Sequence, residues 1–420
     1  MKPLKVIVLG AGQRGQIYTN VMAKMPDKFQ VVGVAEPVQV NRDYISRKHG
    51  IAPENCFTSW EQILEKPRFA DIAIISTQDK MHYAPAMKAL ELGYDLLLEK
   101  PVAPTAKECM DIWQQAEKYG RKVMVCHVLR YTSFYSKVKE LLDADTIGKV
   151  VTMSHTEGVG NLHQSHSFVR GHWGNEEKSA CMLLAKSCHD LDLMQWLMGR
   201  DCRRIQSFGS LLYFRQENAP DNAPERCIDG CPHADRCYYN AVKLYYDDKK
   251  NGWFRGAATG MVSPSDEDVL DALKNTQYGK CVFKCDNDVV DHQVVNMEFE
   301  DGCTVCFTMS AFNRGGRKSN LMGTKGEMFL DFEGDEIKIY HFDSRQFEII
   351  NTRTGAVSGH GGGDDGIVMA LYDYMNGAKS EDDVSEIGIS CRNHLLVFAA
   401  EQARHSGNVV DTQLFQKQFQ

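Results

Sequence analysis

A short apolar run, residues 5–9 (KVIVL), leads directly into Gly10-Ala11-Gly12-Gln13-Arg14-Gly15, and a helix-like stretch follows over residues 13–24. Few features restrict a chain more. A strand that turns within a few glycines into a helix opens a βαβ unit. The glycines permit the tight turn and let the backbone approach a pyrophosphate. The first turn of the helix then offers that anion free N–H groups and the positive end of its dipole. A second strand-like run, residues 30–35 (QVVGVA), ends at Glu36, 21 residues after Gly15. A carboxylate at that position hydrogen-bonds the 2′ and 3′ hydroxyls of a ribose and repels a 2′-phosphate, which favours NAD over NADP.

The pattern continues to about residue 128. Strand-like runs at 56–57, 72–76 (IAIIS), 95–98 (DLLL) and 122–126 (KVMVC) alternate with helical stretches at 41–49, 82–92 and 105–119. Continuous apolar strands between amphipathic helices predict a doubly wound parallel sheet covered on both faces. The expected first domain is therefore residues 1–128. Beyond it, residues 134–143, 180–198 and 388–405 read as helices. Longer strand-like runs occur at 150–157, 204–214, 289–299, 304–309, 327–330 and 337–341. This predicts an α/β second domain over residues 129–420 with an open, mostly antiparallel sheet. Residues 215–280, rich in Asn, Asp, Pro, Cys and Tyr, read as an insertion in it. After the loop signal at 359–363 (GHGGG), Asp364 is placed to cap the following helix.

Composition excludes other classes. The chain has 420 residues, 48 Lys plus Arg against 56 Asp plus Glu, and a formal net charge of −8. There is no basic footprint for nucleic acid. No apolar run approaches the roughly 20 residues that span a bilayer. No export signal is read at the start of the sequence, so the 14 cysteines are expected as reduced thiols in a cytoplasm.

Several further segments carry a likeness. They are Ser76–His82 (STQDKMH, with Thr77), Glu99-Lys100-Pro101 after the fifth strand, Arg130 after the sixth, and the CHDLD of residues 188–192. With the glycine turn and Glu36, they resemble the glucose–fructose oxidoreductase / inositol dehydrogenase (Gfo/Idh/MocA) family. The resemblance implies a Rossmann domain followed by an open-sheet α/β domain, and NAD(P)-dependent chemistry on sugars, cyclitols or glycosides. It assigns Gly10, Gly12, Gln13, Arg14, Gly15, Glu36, Ser76, Thr77, His82, Glu99, Lys100 and Arg130 to the cofactor side. Two departures are evident: members often read T-P-N where this chain has Thr77-Gln78-Asp79, and where many carry Asp four residues before the catalytic His, this chain has Ala185, followed by Lys186.

Oxidising a secondary alcohol requires a base for the hydroxyl proton. Lys100, at the C-terminal edge of the parallel sheet, is one candidate. His189 is the second, because a neutral imidazole accepts protons near neutrality. Lys186, three residues before His189, is expected on the same helix face, where it either orients the substrate or reaches solvent. Asp192 reads equally as a substrate contact or a salt-bridge partner. His127, His155, His163, His166, His172 and His189 fall within 63 residues, which suggests a polar sugar pocket. His163, Arg170 and Trp173 form its expected cover, with His292 and His360 as further candidates.

Cys227-x3-Cys231-x5-Cys237 is the remaining motif. With Cys281 or Cys285 as the fourth ligand it suggests a structural zinc site; free thiols are the main alternative, ranked above a disulfide or an iron–sulfur cluster. The leading functional reading is an NAD-dependent oxidoreductase acting on a secondary hydroxyl. Two alternatives use the same parts: an NAD-dependent glycosidase working by transient oxidation at C3 and elimination, and a non-catalytic NAD-binding regulator. An uncovered sheet face further predicts a homodimer or homotetramer.

Overall fold

A computed structural model describes residues 2–353 and 359–419. Strands β1 (Leu4–Leu9), β2 (Phe29–Ala35), β3 (Cys56–Phe57), β4 (Ile72–Ile75), β5 (Asp95–Leu98) and β6 (Val123–Val125) form a parallel sheet in the order β3-β2-β1-β4-β5-β6. The order reverses between β1 and β4. Loops leaving those two strands diverge there and open a crevice, the usual ligand site of such sheets.

Burial on both faces explains the continuous apolar strands. Ile7 and Leu9 join Ala73, Ile75, Leu96 and Leu98 in a core with helices Tyr83–Glu91 and Ala106–Tyr119. Val6 and Val8 join Ile72, Ile74 and Leu97 on the other face, against helices Gln13–Met22 and Gln39–His49. That second face is completed from far along the chain. Helix Gly363–Met375 packs Ile367, Val368 and Leu371 into the same core. Residue 128 therefore separates the two sheets, but the later segment returns to cover the first.

The second sheet has strands β7 (Val150–Gly158), β8 (Cys202–Ser210), β9 (His292–Phe299), β10 (Thr304–Ser310), β11 (Gly316–Gly323), β12 (Gly326–Asp331), β13 (Glu336–His341), β14 (Phe347–Ile350) and β15 (Val410–Asp411). Their order is β14-β13-β12-β11-β7-β10-β9-β8-β15. Only β7 and β10 pair in parallel among the described strands; the other neighbours are antiparallel. One face packs on helices Cys188–Met198 and Ile387–Ser406. The other leaves Val151, Phe208, Met322 and Phe329 exposed.

Three differences from the sequence reading have physical causes. Strand β11 carries Arg317 and Ser319 on its inward face, so it lacks apolar alternation. The helix expected over 180–198 is two pieces, Met182–Ala185 and Cys188–Met198, broken at Lys186 and Ser187. The insertion, read from composition alone, has a small core of its own formed by Tyr245, Phe254, Val269 and Leu273. Among the described residues, no helix is long and apolar enough to cross a membrane.

Candidate active site

The glycine turn is built around close approaches. Gly10 has φ +92°, and a Cβ there would lie 2.6 Å from the Ser76 carbonyl oxygen. A Cβ on Gly15 would lie 2.2 Å from the Gly10 oxygen. A Cβ on Gly12 would meet nothing within 4 Å, so that side of the turn is open. Gly12 starts helix Gln13–Met22 with no side-chain cap, leaving first-turn N–H groups for an anion. The residues present thus fit a dinucleotide pyrophosphate.

Neighbouring loops brace this turn. Ser76 Oγ donates to the Gly10 oxygen (2.7 Å). Glu36, almost fully buried, accepts from the Ala11 N–H (2.6 Å) and the Val38 N–H (2.9 Å). His82 sits between the Thr77 and Pro101 carbonyls (3.1 and 2.7 Å) and ties the loop after β4 to the loop after β5. Thr77 itself donates to the Met81 oxygen.

Arg14 turns away from the crevice into a buried network. Its guanidinium donates to Glu99 (2.6 Å), Asp364 (2.8 Å) and the Tyr18 hydroxyl. Tyr18 also donates to Glu99 (2.5 Å). Burial alone would push Glu99 up, but Arg14 and Lys100 more than offset it and hold its carboxyl below the usual range. Asp364 lies in the first turn of its helix and spends its carboxylate on Arg14 and His360 rather than on the cap predicted for it.

Lys100 directly follows Glu99, and its Nζ donates to the Ala185 oxygen (2.8 Å). This bond fixes the ammonium at the break between the two helical pieces, near His189. His189 is 7% exposed and its Nδ1 has no partner. Burial, then the charge of Lys100, hold its imidazole well below the usual histidine pKa. Its ring stands edge-on to His127 at 5.8 Å, and the His360 ring lies 6.4 Å away. A neutral, unengaged imidazole beside a fixed ammonium has the parts of a proton acceptor with an electrostatic stabiliser.

The helix break gives Lys186 a different role from the shared face expected of it. Lys186 reaches Glu157 of β7 (3.1 Å), which in turn meets Arg317 of β11 (2.9 Å). Glu157 and Arg317 are opposite one another across the two strands. Arg317 also pairs with Asp190 (2.7 Å), and Asp190 bonds His155 (3.0 Å). Burial would raise Asp190, yet Arg317 and His155 hold it well below the carboxylate range. A carboxylate thus stands beside Lys186 after all, supplied by the sheet instead of position 185. Glu157 and Arg317 were not singled out from sequence, whereas His155 was counted in the histidine-rich stretch and Asp190 stood within the CHDLD motif. The signal for the first two was polar residues at alternate, inward strand positions.

Other candidates divide. His163 faces this group: Lys186, Arg317 and Lys100 all help burial to lower its pKa. Trp253 of the insertion stands edge-on to it at 4.8 Å. Trp173 is anchored by its Nε1 on Asp79 (2.8 Å) and lies against His172. Asp192 and Arg130 consume one another in a two-pronged pair (2.7 and 2.6 Å), with Asn393 also donating to Asp192. The pair occupies both oxygens of Asp192 and the Nε and Nη2 of Arg130. Arg170 is enclosed by the Lys280 and Tyr239 carbonyls within the insertion instead of covering the pocket. His292 lies on the open face of its strand, opposite Gln293, which bonds Glu401 of the covering helix. It therefore points away from His189. The expected zinc site is not supported: among the described residues, no three His, Cys, Asp or Glu side chains close on a point where one ion would sit.

The likeness to known proteins extends over most of the chain. A family profile described as "Oxidoreductase family, NAD-binding Rossmann fold" matches residues 4–127, and one described as "Oxidoreductase family, C-terminal alpha/beta domain" matches residues 139–365. The protein YteT of Bacillus subtilis (strain 168) is 25% identical over 74% of this chain and 76% of its own length. The inositol 2-dehydrogenase/D-chiro-inositol 3-dehydrogenase of Lactiplantibacillus plantarum is 23% identical over 53% of this chain and 60% of that enzyme. An inositol dehydrogenase homolog from Azotobacter vinelandii, solved with NADH and myo-inositol, superposes with a TM-score of 0.67 at 15% identity, covering 98% of each chain. With both halves of the fold matched and the glycine turn, Glu99-Lys100 and His189 gathered at one crevice, the chain belongs to the Gfo/Idh/MocA oxidoreductase family.

Proposed function

We propose that the protein is an NAD-dependent dehydrogenase that interconverts a secondary hydroxyl and a ketone on a sugar, cyclitol or glycoside. The observation that carries this reading is His189: buried, held neutral, unpartnered at Nδ1, and beside the anchored ammonium of Lys100. When bound, NAD supplies the hydride acceptor, or NADH the donor. His189 takes the hydroxyl proton in the oxidative direction. Lys100 stabilises the negative charge that develops on that oxygen. Lys186, His163 and His360 offer polar contacts for the other hydroxyls. The covering residues, Trp253 and Trp173, limit the entry of water.

A panel of free sugars, inositols and glycosides incubated with NAD tests this reading. NADH is expected to accumulate in proportion to the substrate consumed. A deuterium isotope effect is expected at one ring carbon. Release of aglycone without net NADH, with solvent deuterium entering C2, would replace it with the glycosidase reading.

Cofactor choice is a separate expectation. Glu36 lies beyond the end of β2, and its carboxylate is fixed by two backbone N–H groups. A 2′-phosphate there meets a held negative charge. NAD is expected to bind at least about tenfold tighter than NADP, a difference of about 1.4 kcal/mol. Equal dissociation constants measured by titration would remove Glu36 as the selector.

A further inference from the structure

The insertion reaches back to the glycine turn. Its helix Gly252–Thr259 is capped by the Asn251 side chain and ends at Gly260, which takes φ +71°. Three contacts follow one another along that helix. At its start, Trp253 stands edge-on to His163 (4.8 Å), and Phe254 stacks on His166 (4.1 Å). At mid-helix, Gly256 seats against Gln13. A Cβ there would lie 3.3 Å from Gln13 Nε2 and 2.9 Å from the Met261 oxygen, so a residue without a side chain lets the helix come this close to the turn. At its end, the Gly260 oxygen accepts from Asn41 Nδ2 (3.2 Å).

Those partners belong to the dinucleotide site in a fixed order. His163 stands at the substrate end, within the influence of Lys186 and Lys100. Gln13 is in the turn that fits the pyrophosphate. Asn41 is in the first turn of helix Gln39–His49, just past Glu36, the acid that fits the ribose. A dinucleotide lying across the C-terminal edge of the sheet passes the same three places in the same order. The helix therefore runs along the cofactor's path instead of touching one end of it.

Asn41 supplies a second, independent sign. It is 4% exposed, although Val38 and Val40 beside it are exposed. Its Nδ2 is spent on Gly260, but its Oδ1 is buried and makes no hydrogen bond. A buried acceptor without a donor is costly. The ribose hydroxyls and the adenine amine of a dinucleotide are donors of the kind it lacks.

We infer that helix Gly252–Thr259 and Gly260 form a lid over the dinucleotide, latched by Asn41 and by the close seat of Gly256 on Gln13, so that NAD and NADH leave only when it lifts. This rests on the dinucleotide reading of the glycine turn. Phe254 and Ala258 tie the lid to the insertion's own core of Tyr245, Val269 and Leu273, so it moves without disturbing either sheet. Release of the cofactor is then a step that the insertion controls.

The test is a chase. The full chain is loaded with NADH and mixed with excess NAD, and the loss of protein-bound NADH fluorescence is timed. Asn41→Leu and Gly256→Leu are each expected to speed release by about tenfold, the scale of one lost buried hydrogen bond. Amide exchange in the wild-type chain needs no variant and decides the matter should either fail to fold. NADH is expected to slow exchange severalfold across residues 252–261. Unchanged release in both folded variants, or exchange at 252–261 that NADH does not slow, would overturn the inference. Failure of the wild-type chain to bind NADH at all would overturn the dinucleotide reading itself, and the lid with it.

Discussion

Replacing Lys100 with Met is expected to lower turnover by roughly 10²-fold or more while leaving NAD affinity within a few fold. His189→Ala is expected to do the same. Lys100 is held by one bond, to the Ala185 oxygen, and makes no carboxylate pair in the described structure. Its ammonium is therefore available to a developing alkoxide. His189 has a buried Nδ1 without a hydrogen-bond partner and a neutral ring. The two are also coupled, because after burial the charge of Lys100 is the largest influence holding His189 neutral. In Lys100→Met the His189 pKa therefore rises, and the acid limb of the pH–rate profile moves to higher pH. A general loss of folding gives no such shift. Wild-type turnover in either folded variant would remove that residue from the chemical step. An unmoved acid limb in Lys100→Met would sever the coupling.

The first sheet was legible because its signals are local. Each strand is a short apolar run buried on both faces, and the glycine turn follows directly from β1. Lys100 and His189 stand in short contiguous motifs, EKP and CHDLD, which sequence alone can locate. The rest of the site is assembled across long separations. Arg317 meets Glu157 only because β11 pairs with β7, and Arg14 meets Asp364 across 350 residues. Alternating polar residues mark the inward positions of β7 and β11, but nothing in local periodicity says which segments meet. Lys186 misled for another reason. An apolar run continuing through 182–198 reads as one helix, but the chain unwinds at Lys186 and Ser187, and the ammonium swings to Glu157. Asp192 and Arg130 are chemically plausible ligands in sequence; their pairing shows that burial has already committed both.

Acid is expected to unfold this protein early, and buried histidines set the window. Burial brings His127 down to about 4, and His166 and His394 down to about 3. The surroundings explain why each stays neutral. His394 accepts from the Val102 N–H at Nε2 (3.0 Å) and faces the Ser390 oxygen at Nδ1 (2.7 Å), so a second proton would break the first bond. His127 makes no hydrogen bond at either nitrogen, with Asp192 3.9 Å from its Nε2, and stands against the rings of both His189 and His394. Burial outweighs Asp192, and a proton on this ring would also face the charges of Arg130 and Lys100. In the unfolded chain each of these histidines titrates near its usual value of about 6.5. As pH falls below that value the unfolded chain takes up protons that the folded one refuses. Stability is therefore full above about pH 6.5 and is lost on the way down to the folded values. Each group contributes about 1.4 kcal/mol per pH unit, so the three together approach about 4 kcal/mol per unit. Two units consume about 8 kcal/mol, comparable to the whole stability of a typical domain. Asp190 and Asp192, both held low by their cationic partners, keep their contribution until the pH nears the ordinary carboxylate value, so they do not account for losses above it. Denaturant titrations between pH 7 and 4.5 should show the steep decline, and His394→Gln should reduce its slope by about 1.4 kcal/mol per pH unit. A flat stability profile across that range would mean that these rings accept protons in the folded chain.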